Sequence, residues 1–173
     1  MIDIIEFKGQ IYPAFQAKGN SAKFCFPFAE QVCKGVGYDI GYSKPEWKFP
    51  GATGIDNHKS CSPNGIELSN TPLTALNLPE GEVDYIFNSH CLEHLPNWVE
   101  ALDYWYEHLV KGGVMFSYVP HPDQIYWRPF NNRKHIHILH PADLHSYFLD
   151  KGYEKVFVSG RDLNHSYCVM CEK

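Results

Sequence analysis

No apolar run in the 173 residues approaches the roughly 18 to 20 that a membrane-spanning helix needs. The first ten residues place Asp3 and Glu6 among apolar ones and lack the basic start and apolar core of a signal peptide, so a cytoplasmic location is expected, with no membrane partner. No cationic cluster stands out either. Lys and Arg number 15 against 20 Asp and Glu, a net charge of -5, whereas a nucleic-acid binder lays down a basic stripe to displace counterions. The densest cationic spot holds only Arg128, Arg133 and Lys134, too little for a duplex and enough for an anionic small molecule. The six cysteines (25, 33, 61, 91, 168 and 171) lack metal or disulfide spacing. The lone pair Cys168–Cys171 neither meets a second pair nor opens a helix after a strand, so free, buried thiols are expected. Without repeats, low-complexity tracts or Gly/Ser linkers, the chain reads as one domain over residues 1–173, with residues 1–25 as an N-terminal arm.

What is present is globular: 44% hydrophobic and 20% charged residues, long enough for one real core. Strand and helix signals alternate. Ile2–Phe7 reads as an arm or short strand, and Phe28–Lys34 as a helix entered through Pro27 and closed by Gly35. Short strands follow at Val36–Ile40, Ala52–Ile55, Ile66–Leu68 and Tyr85–Asn88. A helix then starts at Asn97, with Glu100 three residues on as in a capping box. Its Trp98, Leu102, Trp105 and Leu109 recur at helical spacing as core, and Gly112-Gly113 is expected to stop it. Val114–Val119 is a strand, Pro141–Lys151 a helix, and Glu154–Ser159 with Ser166–Cys171 a closing pair. The turn between these last two is too short for a parallel return, so the last strand should be antiparallel. The whole predicts an α/β fold: a mostly parallel sheet flanked by helices, with ligands beyond the carboxyl ends of the strands.

Three features fall at those ends. In the first, Gly41 turns the chain after one strand and Asp56 closes the next, where a carboxylate can accept both hydroxyls of a ribose. The second is Ser89–Leu95, whose two histidines and Glu93 are costly to bury between an apolar strand and an apolar helix; Glu93 and His94 can equally serve as caps of that helix. The third is the long loop 119–137, rich in Tyr, Trp, Asn and His.

The order Asp39-Ile40-Gly41, then Gly54-Ile55-Asp56, then Asp84-Tyr85-Ile86-Phe87-Asn88-Ser89-His90-Cys91-Leu92-Glu93-His94-Leu95, then Lys111-Gly112-Gly113, then Val119-Pro120-His121 resembles the class I S-adenosylmethionine-dependent methyltransferases, in a compact branch with a very short first helix. The resemblance implies a Rossmann-like methyltransferase fold and S-adenosylmethionine as cofactor. It implies that Asp39 and Gly41 hold the methionine part, that Asp56 grips the ribose, and that Asn88, Ser89 and His90 border the sulfonium and the acceptor. Ser69 and Asn70 are the candidates beside the adenine. Two departures stand out: Tyr42 where a small residue is common, and Ser43 where a second glycine is expected, which fits if its φ is negative. The crossover 41–51, with Pro45 and Pro50 inside, holds one or two helical turns and no G-x-G-x-x-G, which excludes a dinucleotide site.

Methyl transfer to a hydroxyl or amine benefits from a base of near-neutral pKa. The candidates are His90, His121, His135 and His137, with His90 and His121 best placed, directly after adjacent strands. Tyr126, Trp127 and Phe130 with Arg128, Asn131 and Asn132 suggest flat faces and amides for a sugar, so a small-molecule or glycan acceptor is expected. No metal is expected: His135 and His137 supply two ligands, His140 and His145 turn elsewhere, and no nearby acid completes a site. The alternatives are a non-catalytic binding or regulatory protein of this fold, and a histidine-dependent metallohydrolase.

Overall fold

The computed structural model describes residues 3–18, 21–56, 65–67 and 74–173; Cys61, Ser69 and Asn70 lie outside them. Nine strands and three α-helices are described: β1 (Ile4–Phe7), β2 (Gln10–Pro13), α1 (Phe26–Val32), β3 (Gly37–Ile40), β4 (Thr53–Asp56), β5 (Gly65–Glu67), β6 (Val83–Ser89), α2 (Trp98–Glu107), β7 (Leu109–Pro120), α3 (Pro141–Lys151), β8 (Glu154–Val158) and β9 (Ser166–Glu172). Seven strands form one sheet in the order β5-β4-β3-β6-β7-β9-β8. All pairs are parallel except those of β9, which runs antiparallel to both β7 and β8. The order reverses between β3 and β6, so their carboxyl ends open the crevice where such sheets bind ligands.

Alternation along the strands divides the core in two. Tyr38, Ile40 and Ile86 face a cluster closed by Leu102 and Trp105 of α2 and by Leu144 and Phe148 of α3. Tyr85, Phe87 and Phe116 face the other way, against Ala29 of α1 and Phe49. The core reading of these residues holds: Leu102 and Trp105 of α2 are fully buried, as is Leu109 at the start of β7, and Trp98 packs against the same cluster. The Trp105 indole N–H donates to the Ala75 carbonyl at 2.6 Å, satisfying the polar edge of that buried ring. Cys25, Cys33, Cys91 and Cys171 are buried free thiols and Cys168 is half-buried.

Three expectations change. The helix α2 ends at Glu107, ahead of the two glycines, which belong to β7. The pairing of β7 with β6 jumps from Val83↔Leu109 to Tyr85↔Val114. The extra residues bulge there, with Gly112 at φ +79° and the Gly113 α-carbon too close to the Val110 carbonyl for a side chain. Asn97 is the N-cap of α2, but its amide bonds the Glu100 carboxylate and caps no backbone N–H. The arm is not a lone strand: β1 and β2 form a separate antiparallel hairpin.

α3 matches its predicted bounds because Pro141 opens it and Gly152 closes it at φ +98°. No atom crowds a β-carbon at Gly152, so Gly152→Ala should cost about 1 kcal/mol from backbone conformation alone. Urea unfolding checks this; a neutral effect would mean the turn relaxes.

Candidate functional site

The loop after β3 is built on a glycine that accepts no replacement. Gly41 has φ +82°, and a β-carbon there would lie 2.6 Å from the Cys91 sulfur. Its N–H bonds the Ile55 carbonyl at 2.8 Å. Tyr42 turns inward, 3% exposed, against Gly54, where a side chain would collide with its ring. Ser43 stands at φ +64°, against the expectation of a negative value. What holds it there is the carboxylate at the end of β4: Asp56 Oδ2 accepts the Ser43 N–H at 2.8 Å. A single 3-10 turn, Pro45–Trp47, fills the crossover.

Asp39 lies beneath this loop, 1% exposed, its Oδ2 accepting the Phe49 N–H at 2.6 Å. Burial pushes its carboxyl up to about 7, against the lowering effect of that bond and of Lys48.

On the other side of the crevice, β6 ends at Ser89 and the chain kinks at His90, φ +49°. A non-glycine residue in that region is strained, here held by its N–H to the Tyr118 carbonyl at 2.7 Å. The His90 ring sits with Nε2 3.2 Å from Ser166 Oγ and Nδ1 3.5 Å from Glu93 Oε1. Glu93, in the 3-10 turn Leu92–His94, is 1% exposed. Burial alone would raise its carboxyl; the contact with His90 and the charge available on His90, His94 and His135 outweigh it and hold the group down at about 2. His135 goes the opposite way from its ordinary value: burial lowers it to about 4, so near neutral pH its ring is uncharged.

Beyond β7 the loop folds back over Glu93. The Ile136 and His137 N–H groups both donate to the Glu93 carbonyl, at 2.9 and 3.2 Å. Between loop and sheet lies a cavity of about 20 Å³ lined by Glu93, His121, Gln124, Trp127, His135 and His137, among others. His121 Nδ1 lies 2.8 Å from Asp123 Oδ1, and Asp123 Oδ2 accepts from Arg161 at 3.0 Å. A carboxylate only accepts, so the short contact puts the His121 proton on Nδ1, although the Asp123 N–H also approaches that nitrogen at 3.3 Å.

A family profile described as methyltransferase domain matches residues 17–158. The chain belongs to the methyltransferase domain family. Its fold matches a SAM-dependent methyltransferase from Archaeoglobus fulgidus at TM-score 0.69 and 17% identity, over 88% of this chain and 95% of that one. It matches a SAM-dependent methyltransferase from Thermotoga maritima at TM-score 0.64 and 15% identity, over 92% and 96%. The N-methyltransferase NodS of Bradyrhizobium japonicum, in complex with S-adenosyl-L-homocysteine, matches at TM-score 0.62 and 12% identity, over 92% and 88%. No curated protein matches the chain.

Within this methyltransferase domain, Gly41, Asp56, His90 and His121 stand at or directly after the carboxyl ends of β3, β4, β6 and β7. The Asp39 carboxylate instead anchors the crossover from below through Phe49. The side chains of Asn88 and Ser89 are also committed to the protein. Asn88 Nδ2 donates to Ser117 Oγ at 2.8 Å inside the sheet, and Ser89 Oγ donates to the Ala22 carbonyl at 3.1 Å. The sugar platform read from the loop is largely consumed as well. Arg128 donates twice to the Pro122 carbonyl and Asn131 to the Ile125 carbonyl at 2.6 Å. Trp127 lies stacked on His135, and of Tyr126, Trp127 and Phe130 only Phe130 is well exposed, at 67%.

Two elements were missed by sequence reasoning. One is the setting of Glu93, which the sequence marked only as a costly burial or a helix cap in the polar stretch between strand and helix. It caps nothing and faces the histidines. The other is the N-terminal hairpin, which clamps the loop: the Tyr12 hydroxyl accepts the Ile125 N–H at 3.0 Å, and Lys8 reaches Asn131 Oδ1 at 2.9 Å. Gln16, following β2, holds Gln124 at 3.1 Å and Asn164 Oδ1 at 2.7 Å.

Proposed function

We propose that this methyltransferase domain carries the methyl group of S-adenosylmethionine to a hydroxyl or amine of a small-molecule acceptor, with His121 taking the acceptor's proton. The observation that carries this reading is the position of His121, paired with Asp123 and on the wall of a cavity at the carboxyl end of β7, beside the point where strand order reverses. S-adenosylmethionine is the methyl source. The residues present suit it: Tyr42 is folded away onto Gly54, Gly41 keeps the backbone bare, and Asp56 stands at the end of β4.

The cofactor supplies a methyl carbon already activated by its sulfonium. What this chain must add is alignment, which is worth several kcal/mol, and a base. As the acceptor's lone pair attacks, its proton passes to His121 Nε2, while Asp123 holds Nδ1–H and favours the imidazolium that forms. Trp127 and the loop form the outer wall of the cavity. The cavity takes one water-sized group, so only the reacting end of the acceptor enters it.

Calorimetric titration of S-adenosylmethionine tests the cofactor half. Asp56→Asn, which keeps an acceptor for the Ser43 N–H, should weaken binding by about 1.5 to 3 kcal/mol, as for a lost charge-assisted hydrogen bond. An unchanged dissociation constant in a folded variant would remove Asp56 from the ribose role.

A further inference from the structure

Glu93, His94 and His135 come from two separate segments and present ligand atoms that all lie within 4.8 Å of one another. Glu93 is an acid that the fold brings beside the histidine-rich segment from another part of the chain. We propose that these three residues bind a divalent first-row transition cation at the edge of the acceptor cavity.

The chemistry of the donor set points to that class. Two imidazoles and one carboxylate leave positions open on a zinc-, iron- or cobalt-type ion, whereas magnesium and calcium favour all-oxygen shells. His94 is already oriented for it: Nδ1 sits 2.7 Å from the Lys134 carbonyl, which can only accept. The ring proton is therefore on Nδ1 and the Nε2 lone pair faces Glu93, with Nε2 4.0 Å from Oε1. A backbone carbonyl behind a ligating histidine is the usual support for a metal-bound ring. His135 is clamped by stacking on Trp127, ring centroids 5.1 Å apart, and lies edge-on to His94 at 4.5 Å.

A second, independent observation is the unmet polarity of the site. Both carboxylate oxygens of Glu93 are buried without a hydrogen-bond partner among the described residues, and so is Nε2 of His137, on the wall of the same cavity. The neighbouring histidines favour the charge of Glu93 without filling its lone pairs, which stay open to a cation. His90, at 3.5 Å, is too long for a good hydrogen bond. The adjoining space of about 20 Å³ admits a water or an ion and little else. A tetrahedral cation holds its ligands about 3.4 Å apart, so the triad needs only a modest contraction. Binding does not rest on the methyl-transfer reading; use of the ion to hold an acceptor oxygen or nitrogen does.

The test needs no acceptor. Chelator-stripped, tag-free protein is titrated with Co²⁺ and followed by visible absorption, then with Zn²⁺ by calorimetry, with excess Mg²⁺ present. One equivalent should bind, with ligand-field bands of a nitrogen–oxygen site and no thiolate charge-transfer band. Glu93→Gln and His135→Ala should each weaken Zn²⁺ binding at least 100-fold, while His145→Ala, at an exposed position of α3, should leave it within twofold. S-adenosylmethionine affinity, measured in parallel, separates failure here from failure of the cofactor reading. Should a variant not fold, the Co²⁺ spectrum of the unaltered protein still decides. Binding below one equivalent, a thiolate band, or variants that bind as tightly as the unaltered protein would overturn the site.

Discussion

Replacing His121 with glutamine should lower methyl transfer by about 10²- to 10⁴-fold, the usual contribution of a positioned general base, while S-adenosylmethionine affinity stays within about threefold. The expectation rests on position. His121 follows β7 directly, its N–H donates to the His165 carbonyl at 2.8 Å, and its ring lies edge-on to Tyr167, so both backbone and ring are fixed. Asp123 acts only through that ring. Asp123→Asn should therefore cost less than His121→Gln and shift the pH at which turnover rises, whereas a merely structural role would lower stability and leave the pH profile in place. Release of S-adenosylhomocysteine from a panel of small alcohols, phenols and amines supplies the readout. A His121→Gln protein within tenfold of the unaltered enzyme would sink the assignment.

Asp39→Asn should stabilise the protein at pH 8 by about 4 kcal/mol and by no more than about 1 kcal/mol near pH 4.5. The sign follows from the buried carboxyl. In the folded chain it sits at about 7, pushed up by burial, against about 3.9 for an ordinary aspartate in the unfolded chain. Between those values the folded state binds more protons than the unfolded one, so stability falls as pH rises through the window and is flat above it. Asparagine carries no charge at either end and can still accept the Phe49 N–H. Urea unfolding of both proteins at the two pH values measures the difference. A gain of equal size at both would show that charge burial is not its origin. That a carboxylate persists at such a cost fits its place beneath the loop carrying Gly41 and Ser43.

Much of the sheet could be read from the residues because its signals are local. Pro141 and Gly152 bracket α3, and the short polar turn before Ser166 forces an antiparallel return. The glycine pair at 112–113 misled for the opposite reason. Glycine marks a helix end and a strand bulge equally well, and only the pairing with β6 distinguishes them. The N-terminal hairpin was beyond reach, since Tyr12 meets Ile125 across 113 residues of chain. The strand-end positions of Asp56 and His121 were legible because, like those of the sheet, their signals are local. Asn88 and Ser89 have such positions too, yet side chains on a pleated strand leave by alternate faces, one toward Ser117 and the other toward Ala22. The loop's Arg128 and Asn131 looked available because sequence cannot show a carbonyl six residues away claiming them.

Gly41 and Cys91 are in contact with no room for even a methyl group between them. The two rims of the crevice are thereby geared together: one carries Ser43 and Asp56, the other His90 and Glu93. If S-adenosylmethionine binds along one rim and its acceptor along the other, a ligand that moves Gly41 presses on Cys91, and the two occupancies become linked quantities. Linkage is reciprocal, and whatever factor a bound acceptor adds to cofactor affinity, the cofactor must add to the acceptor's. A bulkier residue in place of Cys91 would be felt first in how tightly the opposite rim holds its own ligand.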